Sequence, residues 1–172
     1  MRFSLKDALA LGLLALAASC AGYAPFPNAR PAPATIQNIA DRVAGTHLPI
    51  QIWGSANDQG AIALSSYDPA NDRILIHVSL TELLRDEPDL MAFMIGHEVW
   101  HAYQRGVQRG QKTELEADVA GVLLARRAGF DAVRATRLAC ALFFKVGGSD
   151  PDHPPPIKRC AVMLNALAQK RP

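Results

Sequence analysis

The chain has 172 residues, of which 49% are apolar, 20% charged and 6% aromatic; this fits one globular domain and excludes a largely disordered protein. Eighteen Lys and Arg residues against sixteen Asp and Glu residues give a formal net charge of +2, which is too balanced to indicate a nucleic-acid-binding protein. Three cysteines are too few for a disulfide scaffold, and their odd number requires a separate explanation for at least one of them.

The N-terminal residues have the pattern of a bacterial export signal. Arg2 and Lys6 precede an uncharged stretch, rich in Leu and Ala, that is too short to span a bilayer comfortably. It ends in Leu16-Ala17-Ala18-Ser19-Cys20, which resembles the lipobox of bacterial lipoproteins. We therefore expect residues 1–19 to be a signal peptide and Cys20 to carry an N-terminal lipid. The alternatives are cleavage by ordinary signal peptidase nearby, an uncleaved anchor and a chance pattern.

Residues 20–34 are expected to form a tether. They are rich in proline and contain little that could pack, which is typical of an extended spacer between a membrane and a folded domain. No Asp follows Cys20, and in lipoproteins that absence points to the outer membrane. The expected location is the periplasm, with the domain at residues 35–172 attached to the outer membrane by its lipid.

The apolar pattern of residues 35–172 predicts an α+β fold. A helix is expected over Thr35–Ala44, and then three strands follow, which the turn sequences between them arrange as a small meander. These strands are predicted at Leu48–Trp53, Gly60–Ser65 and Arg73–Val78. The remaining chain is predicted to be helical at Thr81–Leu84, Pro88–Arg105, Lys112–Ala128 and Asp131–Val146, and from Pro154–Pro156 to Gln169. The expected architecture is a three-stranded sheet packed on a helical body.

The most informative motif is His97-Glu98-Val99-Trp100-His101, in the long predicted helix. Histidines at positions i and i+4 share a helix face, so that both imidazoles can reach one metal ion, for which the spacing suits zinc. Glu98 is the next residue round the helix, where it can hold a water molecule bound to that ion. A catalytic zinc site normally has three protein ligands and a water molecule, so a third ligand is needed.

Carboxylates on the following helix can supply that ligand. Glu114 and Asp118 are four residues apart and share a face, whereas Glu116 points about 200° away from Glu114. We assign Glu114 to the metal and expect Asp118 to orient a ligand histidine through its other ring nitrogen. Glu116 is the alternative ligand, and an acidic solvated face is the alternative to any metal site.

These motifs together resemble the gluzincin metallopeptidases of the CAAX-prenyl-protease and heat-shock-protease type. The similarity covers about Leu48–Leu164 and includes His153-Pro154 followed by Arg159, which matches a segment whose His and Arg lie beside the zinc in that family. Trp100 replaces a usually small residue, and the connection from His101 to Glu114 is shorter than in most relatives. The chain is similar to a minimal member without transmembrane helices and inserted loops.

The resemblance implies metal-assisted hydrolysis of peptide bonds with one zinc ion per chain. Glu98 would take a proton from the activated water and pass it to the leaving amine. His153, helped by Arg159, would donate to the developing oxyanion, with a helix-capping or core position as the alternative for His153. The substrate backbone would add along a sheet edge, for which Gly60–Ser66 is the candidate. Trp53 and Tyr67 are either cleft residues or, more commonly for such aromatics, core or rim; His47 and His77 are expected to be structural.

The remaining two cysteines, Cys140 and Cys160, are expected to form a disulfide in an oxidising compartment, with two buried free thiols as the alternative. Such a bond would fix the His153 segment at both flanks, so that oxidation of the two thiols would keep this proposed catalytic segment ordered. The expected function is a zinc endopeptidase acting on envelope proteins. Two alternatives remain, which are a non-catalytic zinc-containing chaperone or assembly factor and a hydrolase of peptidoglycan peptides.

Overall fold

The computed structural model describes residues 29–54, 65–104, 107, 110–146 and 153–169. The predicted signal peptide, Cys20 and most of the predicted tether lie outside these residues. Within them the chain forms six helices and a small four-stranded mixed sheet, so the α+β prediction is confirmed. None of the described helices has the length and apolar character needed to cross a bilayer.

The elements follow the predicted order closely. The strands are β1 Arg30–Pro31, β2 Ile50–Trp53, β3 Ser65–Asp68 and β4 Arg73–His77. The helices are α1 Ala34–Ala44, α2 Val78–Leu83, α3 Pro88–Tyr103, α4 Gln111–Arg127, α5 Ala132–Val146 and α6 Pro156–Gln169. Each predicted helix is present within a few residues of its expected bounds, because the apolar periodicity and the Pro and Gly residues at the helix ends are local signals.

The predicted three-stranded meander is wrong in both strand number and order. The sheet order is β1-β2-β4-β3, with β2 parallel to β4 and β3 antiparallel to it. The strand β4 is central because its apolar run is fully buried, as Ile74, Leu75 and Ile76 show, and such a run is typical of a strand covered on both faces. The fourth strand, β1, lies at the end of the predicted tether, and its Pro31 is tolerated because β1 is an edge strand.

The predicted strand at Gly60–Ser65 falls outside the described residues except for its last position. Ser65 instead begins β3, which runs through Asp68. Asp68 both ends the strand and forms the turn, because its carboxylate accepts hydrogen bonds from Ala70 N at 3.1 Å, Asn71 Nδ2 at 2.8 Å and Arg73 Nε at 2.8 Å. The turn therefore fixes how β3 meets β4.

Helix α3 is the centre of the molecule. Every residue from Leu90 to Val99 is buried, since α3 packs against α1, α4 and α5 as well as strands β3 and β4. Such a helix is apolar on nearly all sides. Polar side chains on this helix are therefore placed in the interior, and each of them needs a partner there.

Candidate metal centre

Helix α3 carries the two histidines on the side that faces α4. His97 and His101 are each 7% exposed, and their Nε2 atoms lie 3.1 Å apart. Two imidazoles at this separation, one helical turn apart, converge on the same small volume. His97 and His101 therefore share one face of α3, as the spacing predicts, and that face is buried.

Helix α4 brings a carboxylate to the same point. Glu114 Oε1 is 3.2 Å from His101 Nε2, and Glu114 Oε2 is 3.3 Å from His97 Nε2. Glu116, the alternative ligand, is exposed and lies 3.9 Å from Lys112 Nζ on the outer face of the helix. Of the two carboxylates weighed from the sequence, the structure therefore brings Glu114 to the histidines and leaves Glu116 at the surface.

The buried group of His97, His101 and Glu114 could hold a metal ion. One ligand atom from each residue lies within 4.8 Å of the others. A tetrahedral ion about 2.0–2.1 Å from each ligand requires ligand atoms about 3.3–3.4 Å apart. The shortest distances among the three side chains are 3.1, 3.2 and 3.3 Å, so the side chains fit such an ion with small adjustments.

A close approach of α3 and α4 makes this convergence possible. A Cβ atom on Gly121 would lie 2.8 Å from Phe93 O, and one on Gly96 would lie 3.0 Å from Gly121 Cα. Glycine costs a helix interior about 1 kcal/mol relative to alanine, so two facing glycines are explained by the backbone contact that they permit. The sequence carried this signal, since Gly96 directly precedes His97 and Gly121 follows Asp118 by one helical turn.

Asp118 contacts His97 on the side of the ring that faces away from Glu114. Its Oδ1 is 3.1 Å from His97 Nδ1, which leaves the other ring nitrogen of His97 directed at Glu114. Arg159 of α6 donates to both oxygens of Asp118, from Nε at 2.7 Å and from Nη2 at 2.6 Å. Burial raises the pKa of Asp118, but the hydrogen bonds from Arg159 and His97 outweigh burial and lower it.

The role expected for Arg159 is different in the structure. The sequence predicted a donor to the developing oxyanion, whereas two guanidinium nitrogens of Arg159 are committed to Asp118 and its carbon Cζ lies 3.7 Å from the centre of the Phe143 ring. The side chain is held on both sides in this way and is only 13% exposed. Arg159 therefore positions Asp118, and through it His97, because a planar guanidinium matches a carboxylate with two parallel hydrogen bonds.

The electrostatics of the group favour a bound cation. Burial lowers the pKa of His97, but the hydrogen bonds to Asp118 and Glu114 and the nearby charge of Glu98 outweigh burial and raise it to about 10. Burial raises the pKa of Glu114, and its hydrogen bonds to His101 and His97 lower it well below the usual range. The site thus stabilises positive charge among its carboxylates, which either a proton or a metal ion can supply.

Glu98 is buried beside this group with one oxygen engaged. Ser65 Oγ of β3 donates to Glu98 Oε1 at 2.7 Å. Glu98 Oε2 is buried and makes no hydrogen bond to any residue that the structure describes. A buried carboxylate oxygen without a donor is costly, and this is expected at a position that binds water or substrate. Sequence reasoning missed Ser65, because only the tertiary fold brings residue 65 to residue 98.

The second predicted histidine segment lies at the edge of the site. His153 Nε2 is 3.8 Å from Glu114 Oε2, and the His153 side chain is 52% exposed. This residue therefore lies between solvent and the buried group.

A disulfide joins the two helices on either side of the His153 segment. Cys140 of α5 and Cys160 of α6 form this bond with Cα atoms 5.6 Å apart. Helix α6, which carries Arg159, is therefore covalently attached to α5.

The other residues singled out from the sequence have structural roles. His77 caps α2 by accepting from Ser79 N at 3.2 Å, and the ring of Trp53 packs edge-on against it with centroids 4.7 Å apart. Tyr67 is 5% exposed and donates to Asp72, so it belongs to the β3–β4 turn and not to a cleft. His47 is exposed and pairs with Asp41 at 3.2 Å.

Comparisons with protein-family models, with curated proteins and with solved structures find no match to this chain. The similarity of its motifs to the gluzincin metallopeptidases therefore stays a prediction from the sequence. What the structure adds is the buried group of His97, His101 and Glu114, with Asp118 behind it and Glu98 beside it.

Proposed function

We propose that the protein is a zinc-dependent endopeptidase of the gluzincin type, with one zinc ion per chain held by His97, His101 and Glu114. The donor set supports zinc, because two imidazole nitrogens and one carboxylate oxygen leave a fourth tetrahedral position open in catalytic zinc sites. A zinc ion held there would act as a Lewis acid, which polarises a peptide carbonyl and lowers the pKa of water.

The observation that carries the proposal is the position of Glu98. A site that only stabilises the fold needs no carboxylate beside its ligands, yet Glu98 is 4% exposed with one oxygen that no described residue satisfies. That oxygen is available to accept a proton from water and to return it to the leaving amine, which is the work of a general base and acid. The same observation argues against a purely non-catalytic chaperone.

Other residues would bind and orient the substrate. Strand β3 pairs with β4 along one edge only, and no other described strand covers its second edge. A peptide can pair with such an edge through its backbone, which accepts many sequences and suits protein substrates. His153, exposed at the rim near Glu114, would donate to the developing negative charge on the carbonyl oxygen.

The location in the periplasm, attached to the outer membrane through a lipid on Cys20, is part of the proposal and rests on the sequence of residues 1–34. Envelope proteins would then be the available protein substrates. A peptidoglycan-peptide hydrolase uses the same chemistry, and the choice between them depends on the cleft, so both substrate classes belong in the test.

The test compares wild type with Glu98→Gln for zinc content and for hydrolysis of β-casein and of a peptidoglycan stem peptide. We expect about one zinc per chain in both proteins, and turnover lowered about 10²–10⁴-fold in Glu98→Gln, which is the range for loss of a general base. Glu114→Gln should lose most of the zinc, whereas Glu116→Gln should keep it.

Two results would contradict the proposal. One is a Glu98→Gln protein that cleaves substrate as fast as wild type. The other is a wild-type protein that binds zinc and suppresses aggregation of unfolded proteins without cleaving them, with Glu98→Gln equally effective. The second result would assign the chaperone function instead.

A further inference from the structure

The hydrogen bond between Ser65 and Glu98 links the edge of the sheet to the central helix. Ser65 is the first residue of β3, and its hydroxyl donates to Glu98 Oε1 at 2.7 Å across a sequence separation of 33 residues. The two carboxylate oxygens of Glu98 therefore differ. Oε1 has a fixed donor, and Oε2 is buried with no hydrogen-bond partner among the described residues.

We propose that Ser65 is a positioning residue that orients the carboxylate of Glu98 for proton transfer, an inference that rests on the proposed peptidase function. A glutamate side chain has a broad preference for its terminal torsion, so the carboxylate plane is not set by the helix alone. The Ser65 hydroxyl sets that plane by holding Oε1. Oε2 is then the atom that faces the reacting proton, without a competing donor from the described protein.

The register of β3 is what places Ser65 opposite Glu98. In the β3–β4 ladder Ser65 pairs with Ile76 and Asp68 pairs with Arg73. Asp68 closes the turn between them, because its carboxylate accepts a hydrogen bond from Arg73 Nε at 2.8 Å. Because side chains alternate along a strand, a slip of one residue would turn the position 65 side chain to the other face and break its contact with helix α3.

This arrangement ties the general base to the strand that would receive the substrate. The peptide backbone would pair with the open edge of β3, and the side chain of Ser65 on the same strand holds Glu98. Ser65 would therefore fix the orientation of the Glu98 carboxylate relative to the strand that binds the substrate. Geometry between the scissile bond and the base is kept in this way, which is the requirement for efficient proton transfer.

The activity test uses Ser65→Ala and Ser65→Thr in the zinc-loaded full chain, with Thr81→Ala as the matched control. Thr81 also donates one hydroxyl hydrogen bond of 2.7 Å, to Val78 O, but lies in α2, which carries none of the residues of the candidate metal group. We expect Ser65→Ala to lower kcat about tenfold to a hundredfold, the range for loss of a hydrogen bond to a charged group, with unchanged KM and zinc content. Ser65→Thr keeps the hydroxyl and should recover most of kcat, and Thr81→Ala should match wild type.

A second readout needs no activity. In metal-free protein, urea midpoints are measured for Ser65→Ala in the wild-type and Glu98→Ala backgrounds, which isolates the contact between the two side chains. We expect Ser65→Ala to lower the midpoint in the wild-type background and to leave it nearly unchanged when residue 98 is alanine. Equal shifts in both backgrounds would overturn the contact and the proposal with it.

The outcomes separate the two proposals. Wild-type kcat in Ser65→Ala, together with an inactive Glu98→Gln, overturns the positioning role and leaves the peptidase function in place. A fully active Glu98→Gln overturns both. Loss of activity that Ser65→Thr does not restore, or a Ser65→Ala loss that appears in KM alone, also overturns the positioning role, since neither follows from a missing donor to Glu98.

Discussion

Replacing Arg159 by methionine removes the guanidinium from a carboxylate that has no access to water. Asp118 is fully buried, and Arg159 supplies two of its hydrogen bonds, at 2.7 and 2.6 Å. His97 is the other partner of that carboxylate. Methionine keeps part of the apolar contact with Phe143, so that the change acts mainly on the charge of Asp118 and less on packing.

The magnitude follows from this geometry. Breaking a buried ion pair by removing one partner costs about 3–5 kcal/mol, because an uncompensated charge remains inside the protein. Since His97 still contacts Asp118, we expect about 3 kcal/mol, the lower end of this range. Arg159→Lys keeps the charge but forms one hydrogen bond in place of two, so its loss should be about half as large. Zinc affinity should fall about 10–100-fold in Arg159→Met, since Asp118 contacts the imidazole of His97, one of the proposed zinc ligands.

Urea unfolding of metal-free protein, followed by tryptophan fluorescence, measures the first effect, and competition with a chelator measures the second. Arg134→Met is the matched control, because Arg134 also pairs with two carboxylates, Glu87 and Asp89, but at 44% exposure, where solvent screens the interaction. A loss in Arg159→Met of less than about 1 kcal/mol, or of no more than in Arg134→Met, would contradict a buried ion pair between Arg159 and Asp118. Additive effects of Asp118→Asn and Arg159→Met on the free energy of unfolding would contradict it as well.

Three further changes test other parts of the structure. Gly121→Ala should destabilise the protein by about 1–2 kcal/mol, because the new Cβ would lie 2.8 Å from Phe93 O and this overpacking outweighs the gain in helix propensity. The same change should weaken zinc binding by separating α3 from α4. Gly110→Ala is the control, because a Cβ at that position would have no atom within 4 Å. Burial raises the pKa of Asp68, but hydrogen bonds from Asn71 and Arg73 outweigh burial and lower it below 3.8. The ionised Asp68 therefore contributes fully to the free energy of unfolding above pH 3.8, and this contribution is lost as the pH falls through the pKa of the folded state. The free energy of unfolding should consequently fall more steeply in wild type than in Asp68→Asn between about pH 5 and about pH 2, and equal slopes would contradict the assignment. Replacing both Cys140 and Cys160 by alanine removes a cross-link over 20 residues and should lower the free energy of unfolding by about 3 kcal/mol. Reductant should lower the free energy of unfolding of wild type by a similar amount and leave that of the variant unchanged.

Local signals explain why so much of the helical body could be predicted. Apolar periodicity and terminal Pro or Gly residues located α1 and α3–α6, since these patterns depend on neighbours a few residues away. The same periodicity separated Glu114 from Glu116, because residues two positions apart on a helix face different directions. In the structure Glu114 is 3% exposed beside the histidines and Glu116 is at the surface.

Strand order could not be predicted in the same way. A meander is the simplest connection of three short strands, yet β2 and β4 pair in parallel and β1 adds a fourth strand. The apolar run of β4 was a signal for a central strand, which the turn sequence before it obscured by favouring a meander. Pairing between strands is decided by which faces the helices cover, and that information is spread over the whole chain.

The sequence by itself determined the helices, the pair of histidines on α3 and the pair of carboxylates on α4, and the face that each pair occupies, because helical geometry relates residues three and four positions apart. Only the tertiary structure decided which helices touch and how closely. Contact between Gly96 and Gly121 brings Glu114 to the histidines, pairing of Arg159 with Asp118 replaces its expected role at the oxyanion, and the register of β3 brings Ser65 to Glu98. Each of these contacts joins residues that are 25 to 41 positions apart in the sequence. They form only when packing of the complete core sets the distance between the elements.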